Sequence, residues 1–385
     1  MSEPEITKDF EQMNLPVPLL RGIYALGLER PSRPQQIGIV PGVRGQDLLL
    51  QSQSGTGKTI TFSTIALSKA FQFKDSKKTR VLILNPNRDL ANQTHDVLQS
   101  LSKYMINSKK EPLINIHLSV GGYNDMKSDS EKLRSNPDIV VGTIGRIEHQ
   151  MKNGNLDCSK IELIIIDEAD EMLKTSNDGK SFKDNIKFIY QNFIKESAQT
   201  ILISATYNQD VIETSQNLLK EDALKILSET ENVSLDGIRQ YYLELDSDDQ
   251  KNETLLDIYS SICSAQSVIF CNTKWKAEKL ADFLSKNDWI VSIIHGELTQ
   301  VERDEVIRDF KNGGSKMLIA TDMFCRGIDV QRVSLVINYE LNTNIENYIH
   351  RIGRSGRYGR TGTSINLVNK KEFTIMKRIE RHTKK

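Results

Sequence analysis

The sequence predicts an α/β fold, two doubly wound parallel-sheet domains in tandem, and two patterns predict it. Short β-rich apolar runs each lead through a turn or polar cluster into a helical stretch, and the whole set recurs in each half of the 385 residues. A strand covered by helices on both faces has no wet side, so it reads as continuous apolar residues. In the first half the runs are Asp47–Gln51, Val81–Leu84, Ile139–Val141, Leu163–Ile166 and Ile201–Ile203. In the second they are Val268–Phe270, Val291–Ile294, Met317–Ala320, Leu335–Ile337 and Ile365–Val368. The stretch least apolar between the sets is 228–236 (SETENVSLD), which reads as a linker joining domains 1–227 and 237–385.

Charge narrows the range of partners. The 51 basic residues are balanced by 51 acidic ones, so no global positive field draws nucleic acid to the chain. Any such contact must come from local placement of Arg, Thr and backbone N–H groups. Cys158, Cys263, Cys271 and Cys325 form no CxxC pair and have no zinc-ligand spacing. Free thiols in a reducing compartment are expected. With no apolar stretch following a basic one near Met1, and no run long enough to cross a bilayer, the chain reads as soluble, intracellular and without membrane contact.

The strongest local signal follows Asp47–Gln51: Ser52-Gln53-Ser54-Gly55-Thr56-Gly57-Lys58-Thr59, then a helical stretch. Gly55 and Gly57 leave room for backbone N–H groups to surround phosphate oxygens. Ser54 and Thr56 belong to the same cradle. Lys58 suits the β- and γ-phosphates of ATP, and Thr59 suits Mg2+. The helix presents its positive end to the anion. A Gly/Ser turn that binds nothing would not need a strand before it and Gly-Lys-Thr opening a helix after it.

The second signal is the apolar run Leu163–Ile166 ending in Asp167-Glu168-Ala169-Asp170. Carboxylates at the C-terminal edge of a parallel strand stand where such sheets bind ligands. Asp167 suits the Mg2+ shell, and Glu168 suits orienting and deprotonating an attacking water. Alone, an acidic strand end is more often a helix cap; with a phosphate loop upstream the catalytic reading prevails. Hydrolysis also needs positive charge near the γ-phosphate. In His350-Arg351-Ile352-Gly353-Arg354-Ser355-Gly356-Arg357, Arg354 and Arg357 stand three apart and can share a helical face. An arginine finger is worth about 10³–10⁵ in rate. Being in the second domain, these two would act only when the domains close.

Asp167-Glu168-Ala169-Asp170, SGTGKT, Ser204-Ala205-Thr206 and HRIGRSGR together resemble the DEAD-box RNA helicase family. The likeness runs through nearly the whole chain in the family's order. It takes in PNRDLA, Gly121-Gly122, TIGR, VIFCNT, Gln300 with Arg303, and TDMFCRGID. Segments such as LLRGIYALG and ENYIHRIGRSGRYGR look most like the branch acting in translation initiation, with a nuclear branch that clamps RNA in an mRNA–protein complex almost as similar.

The resemblance implies tandem RecA-like domains and a monomeric, RNA-stimulated ATPase, cytoplasmic with nuclear as the alternative. Gln35 would read the adenine edge and Phe10 would stack on its face. Gly327 and Asp329 would lie near the nucleotide, while Ser204 and Thr206 would couple ATP state to closure. Arg88, Gly122, Thr143, Arg146, Asn272, Thr273, Arg303 and Thr321 would follow the sugar-phosphate backbone of RNA, positioning it without reading bases. Protein partners of an initiation or mRNA–protein complex are implied as well. Asn87, Asp89, Ile144, Leu28, Pro34, Cys325 and Asn342 depart from the family's usual residues. Asn87 can still bond phosphate, and Pro34 is expected to hold Arg33 extended.

Overall fold

The computed structural model describes residues 6–52, 56–122, 126–174, 182–206, 209–227, 237–261, 266–322, 333–355 and 361–383. The chain divides into two compact units, Met1–Ser228 and Glu229–Lys385. The segment read as the linker, 228–236, lies outside the described residues.

The first unit carries β1 (Leu48–Gln51), β2 (Val81–Asn85), β3 (Ile116–Ser119), β4 (Ile139–Thr143), β5 (Leu163–Ile166), β6 (Gln199–Ser204) and β7 (Leu224–Ile226). They form one sheet in the order β3-β4-β2-β5-β6-β1-β7, every pairing parallel. Alternate side chains of the central strands feed two apolar layers. Leu48, Leu50, Ile83, Ile165 and Ile203 join Phe62, Ile65 and Leu98 from the Lys58–Gln72 and Arg88–Ser102 helices. Leu49, Leu82, Ile164 and Leu202 join Ile147 and Ile189 from the Ile144–Lys152 and Phe182–Phe193 helices on the other face.

The second unit carries β8 (Ile238–Leu245), β9 (Gln266–Cys271), β10 (Val291–Ile294), β11 (Met317–Thr321), β12 (Val333–Asn338) and β13 (Gly362–Asn369), in the parallel order β10-β11-β9-β12-β13-β8. Ile269, Ile319 and Ile337 pack with Leu280 and Leu284 on one face, while Val268, Leu318 and Val336 pack with Phe310 on the other.

All ten apolar runs read from the sequence are strands, and β3, β7 and β8 are additions to them. Each of the three is a sheet edge. β3 alternates Ile, His, Leu, Ser, and β8 exposes Tyr241, Tyr242 and Leu243, so none shows the unbroken apolar run of a central strand.

Pro34 does not extend Arg33. The helix runs Arg33–Val43, and the extended residue is the cap Ser32, whose backbone N–H donates to Gln35 Oε1 at 2.8 Å. Proline is tolerated there because first-turn N–H groups have no partner within the helix. Ile144, where the family has proline, starts its own helix and is buried in the core. Cys158 and Cys271 are free and buried, and burial pushes the Cys158 thiol up to about 12; Cys263 and Cys325 lie outside the described residues. Among the described residues no helix is long and apolar enough to cross a membrane.

Candidate active site and nucleic-acid groove

In the first unit the predicted nucleotide residues converge on the C-terminal ends of three neighbouring strands. β1 leads into Ser52, and Lys58 opens the helix that follows, its cap Gly57 in the left-handed region at φ 91. A Cβ on Gly57 would stand 2.5 Å from Gln35 Nε2, so glycine meets both the backbone and the space requirement. Lys58 is buried and its Nζ donates to the Ser52 carbonyl. Thr59 is half-buried in the first helical turn. Thr56 Oγ1 accepts from Ser52 Oγ at 2.6 Å. Gln35 is buried against this loop, its amide donating to the Gly57 carbonyl at 3.4 Å. Ser54 and Gly55 lie outside the described residues.

β5 delivers the acidic pair. Asp167 continues the ladder, donating its N–H to the Leu84 carbonyl at 3.0 Å. Its carboxylate accepts from Asn85 Nδ2 at 3.3 Å and from the Glu168 N–H at 3.0 Å. Burial, then the neighbouring Glu168 charge, pushes the Asp167 carboxyl up to about 7, against the pull of Lys58. Glu168 sits at φ 49, a left-handed conformation uncommon for a side-chain-bearing residue, at the start of the Ala169–Met172 turn of helix. β6, between β5 and β1, ends at Ser204. Its hydroxyl donates to the Thr206 carbonyl at 2.5 Å, and Thr206 Oγ1 donates to Asp170 Oδ2 at 3.1 Å. Thr206 is thereby tied directly to the acidic segment, and Ser204 is tied to it through Thr206.

Two predicted residues take other places. Phe10, expected on an adenine face, is fully buried in the core with its ring edge-on to Tyr24 at 6.3 Å. It offers no open face for stacking. The Asn272 amide, expected on RNA, is spent internally: Nδ2 donates to the Leu341 carbonyl at 3.0 Å and Oδ1 accepts from Arg351 at 2.7 Å.

Further along the same edge of the first sheet, β4 and the turn after β2 frame a groove of about 380 Å³ lined by Arg88, Gly121, Met126, Thr143, Gly145, Arg146 and His149. Three of these, Arg88, Thr143 and Arg146, were predicted from the sequence. Gly122 lies beside it at φ 98, where a Cβ would come within 2.3 Å of Arg88 Nη1. Beneath the groove stands Asp129, fully buried, which no motif signalled. It accepts from Arg146 Nε at 2.8 Å, Gln150 Nε2 at 2.7 Å and Ser119 Oγ at 3.0 Å, and meets His117 Nε2 at 2.8 Å. Burial alone would raise this carboxyl; the bonds from His117, Gln150 and Ser119 and the Arg146 charge outweigh it and hold it below the usual range.

In the second unit, Thr321 at the end of β11 is paired with Cys271 at the end of β9, which leads into Asn272 and Thr273. Thr273 Oγ1 caps the Lys274–Lys286 helix by accepting from the Lys276 N–H at 3.2 Å. Arg303 donates to the Gly296 carbonyl, and Arg354 Nε to the His350 carbonyl at 3.1 Å. The residue that organises this region is Arg351, which the sequence reading left without a role. Fully buried, it pairs with Asp322 and donates to the Glu340 carbonyl at 2.7 Å and to Asn272. Arg357, Gly327 and Asp329 lie outside the described residues.

A phosphate loop, an acidic strand end and a basic groove along one parallel-sheet edge define a nucleotide-driven enzyme of the helicase class. The DEAD/DEAH box helicase model matches residues 32–214, and the helicase conserved C-terminal domain model matches residues 250–359. The chain belongs to the DEAD-box family of ATP-dependent RNA helicases. It is 43% identical over 376 residues to the ATP-dependent RNA helicase eIF4A of Aspergillus clavatus, covering 98% of this chain and 90% of that protein. It is 44% identical over 378 residues to the ATP-dependent RNA helicase FAL1 of Candida albicans, with the same coverage of both chains. Among solved structures, S. cerevisiae Dbp5 bound to RNA and ADP BeF3 superposes with a TM-score of 0.87 at 32% identity, covering 98% of this chain and 94% of that one. The fold is accordingly the tandem RecA-like arrangement.

Proposed function

We propose that this helicase remodels short stretches of RNA by closing its two units on ATP and RNA together, and that it serves translation initiation in the cytoplasm. One observation carries the reading: the nucleotide residues at the ends of β1, β5 and β6 and the groove beside β2 and β4 share one edge of one sheet. A ligand on either half meets the same set of strand ends.

ATP would be held by the loop of Thr56 and Gly57, with Lys58 leaving the Ser52 carbonyl for the phosphates and Gln35 beside the adenine. Mg2+ fits the donors, since Asp167 and Thr59 offer hard oxygens and Asp167 is a buried carboxylate facing the Glu168 charge, where a cation would be welcome. Bound there, the ion would offset phosphate charge. Glu168 would orient the attacking water and take its proton. On closure Arg354 and Arg357 would face the charge developing on the γ-phosphate. Arg88, Thr143 and Arg146, with Thr273, Arg303 and Thr321 of the second unit, would grip the RNA backbone. Gripping a bent strand from both units is incompatible with a regular duplex, so a short helix would open locally.

The relative named eIF4A supports the initiation role, and protein partners from that assembly are proposed with it. Steady-state ATPase with and without single-stranded RNA, at several salt concentrations, tests the enzymatic reading. Stimulation that fades with salt is expected; activity indifferent to RNA would refute it. Co-sedimentation of the native protein with initiating small ribosomal subunits tests the cellular role.

A further inference from the structure

Trp275 lies in the first turn of the Lys274–Lys286 helix, two residues beyond Thr273, and is 61% exposed. An indole is among the largest apolar surfaces a side chain can leave in water. The chain's other tryptophan, Trp289, behaves ordinarily, half-buried in the core with its ring 5.7 Å from Tyr259. The helix bearing Trp275 starts at the C-terminal end of β9, beside Thr321 at the end of β11. Trp275 therefore stands in the first turn of a helix that opens among the residues proposed above to follow the RNA backbone in the second unit.

One turn along, Lys279 Nζ sits 4.1 Å from the indole centroid. That contact steadies the ring and sets a cation over one of its faces, leaving the other for a base whose phosphate the ammonium could meet. Local charge alone does not select nucleic acid, because Lys274 pairs with Glu297 and Lys276 with Asp248. The conjunction of a largely exposed indole, an ammonium over one face and the end of the RNA track does. Single-strand binders use this combination, with stacking that tolerates any base.

We propose that Trp275 is a stacking platform for an RNA base, adding a base contact to a grip otherwise confined to the backbone. The proposal rests on the RNA path assigned above. It predicts a preference for strands whose bases are already unstacked and for purines over uridine at the position that reaches the ring.

Since the chain has two tryptophans, Trp289→Phe leaves Trp275 as the sole indole emitter. The full chain with a non-hydrolysable ATP analogue is titrated with single-stranded oligo(A) and with an abasic oligonucleotide of equal length. Oligo(A) is expected to quench the emission and the abasic strand is not. Trp275→Ala should weaken oligo(A) binding by roughly 5- to 150-fold, the range seen when one stacking aromatic is removed, and leave the abasic affinity unchanged. Trp275→Phe should recover most of the loss. Should Trp289→Phe misfold, the difference between the wild-type and Trp275→Phe spectra carries the same signal. Tight oligo(A) binding without quenching, or equal losses on both strands, overturns the platform alone. Intact RNA affinity in Trp275→Ala would assign the ring to a protein partner instead. Binding of neither strand by the wild type would overturn the RNA path together with the platform.

Discussion

Asp129 shows how a single buried charge aims a binding surface. Its carboxylate takes bonds from Arg146, Gln150 and Ser119 and faces His117, so Arg146 reaches the groove from a fixed base. Removing the carboxylate breaks a buried ion pair with Arg146 and strips the acceptor from Gln150 and Ser119, a loss of about 3–5 kcal/mol for Asp129→Ala in urea denaturation. Asp129→Asn keeps the volume and one acceptor, so it should fold, yet bind RNA more weakly because Arg146 is no longer held by a charge. The pH dependence has a definite sign. The folded carboxyl is held below its unfolded value, so its stabilisation is complete above about pH 4. It is lost as pH falls through the folded value. Comparing urea midpoints of wild type and Asp129→Asn from pH 6 to 3 should show the gap narrowing with acid. Nothing in the sequence announces this residue, since MKSDSEKLR reads as an ordinary polar helix, whereas Glu168 stands out as a candidate because it follows an apolar strand downstream of a phosphate loop. Glu168→Gln should preserve ATP binding and slow turnover by roughly 10²–10⁴, as loss of a general base does; near-normal turnover would remove Glu168 from the chemistry. Phe10 was misplaced for a related reason: a sequence shows that a residue is aromatic, while burial depends on what packs over it.

At the scale of elements, every central strand was legible, while of the four edge strands only β10 was. Burial on both faces writes itself into consecutive residues such as Leu163–Ile166, while β3 and β8 keep a wet side and mix polar with apolar. Connections behaved similarly, with function hidden in caps. Asn87, a departure read as a phosphate contact, caps the Arg88–Ser102 helix by accepting the Leu90 N–H at 3.0 Å. Asn87→Ala should cost about 1 kcal/mol, and Asn87→Thr, which caps nearly as well, should recover most of it in thermal denaturation. The turn at Gly122 belongs to the same machinery. Gly122→Ala must hold φ 98 with a Cβ pressing on Arg88, at a cost of roughly 1–3 kcal/mol. Because the arginine is the flexible member, the larger effect is expected on RNA affinity, measured by fluorescence anisotropy.

For the whole molecule the balance of 51 basic and 51 acidic residues matters most. With no net field, RNA must be won by local contacts, and each neutralised phosphate adds about 0.7 to the salt slope of single-strand binding. A grip so local can be switched, provided the two units are brought to the strand together. If ATP and RNA each favour the closed arrangement, each must raise the other's affinity by the same factor, because linkage between binding equilibria is reciprocal. A factor of roughly 5–150 is the usual range. Equilibrium titrations of RNA with and without a non-hydrolysable ATP analogue, and of the analogue with and without RNA, should return one number. Arg354 would contribute to that number through closure, its Nε donating to the His350 carbonyl within its own unit. Arg354→Ala should therefore leave the separate affinities for RNA and for nucleotide nearly unchanged and shrink the coupling factor in both titrations equally. A variant that keeps full coupling while phosphate release collapses would confine Arg354 to the chemical step and place the driving force for closure elsewhere.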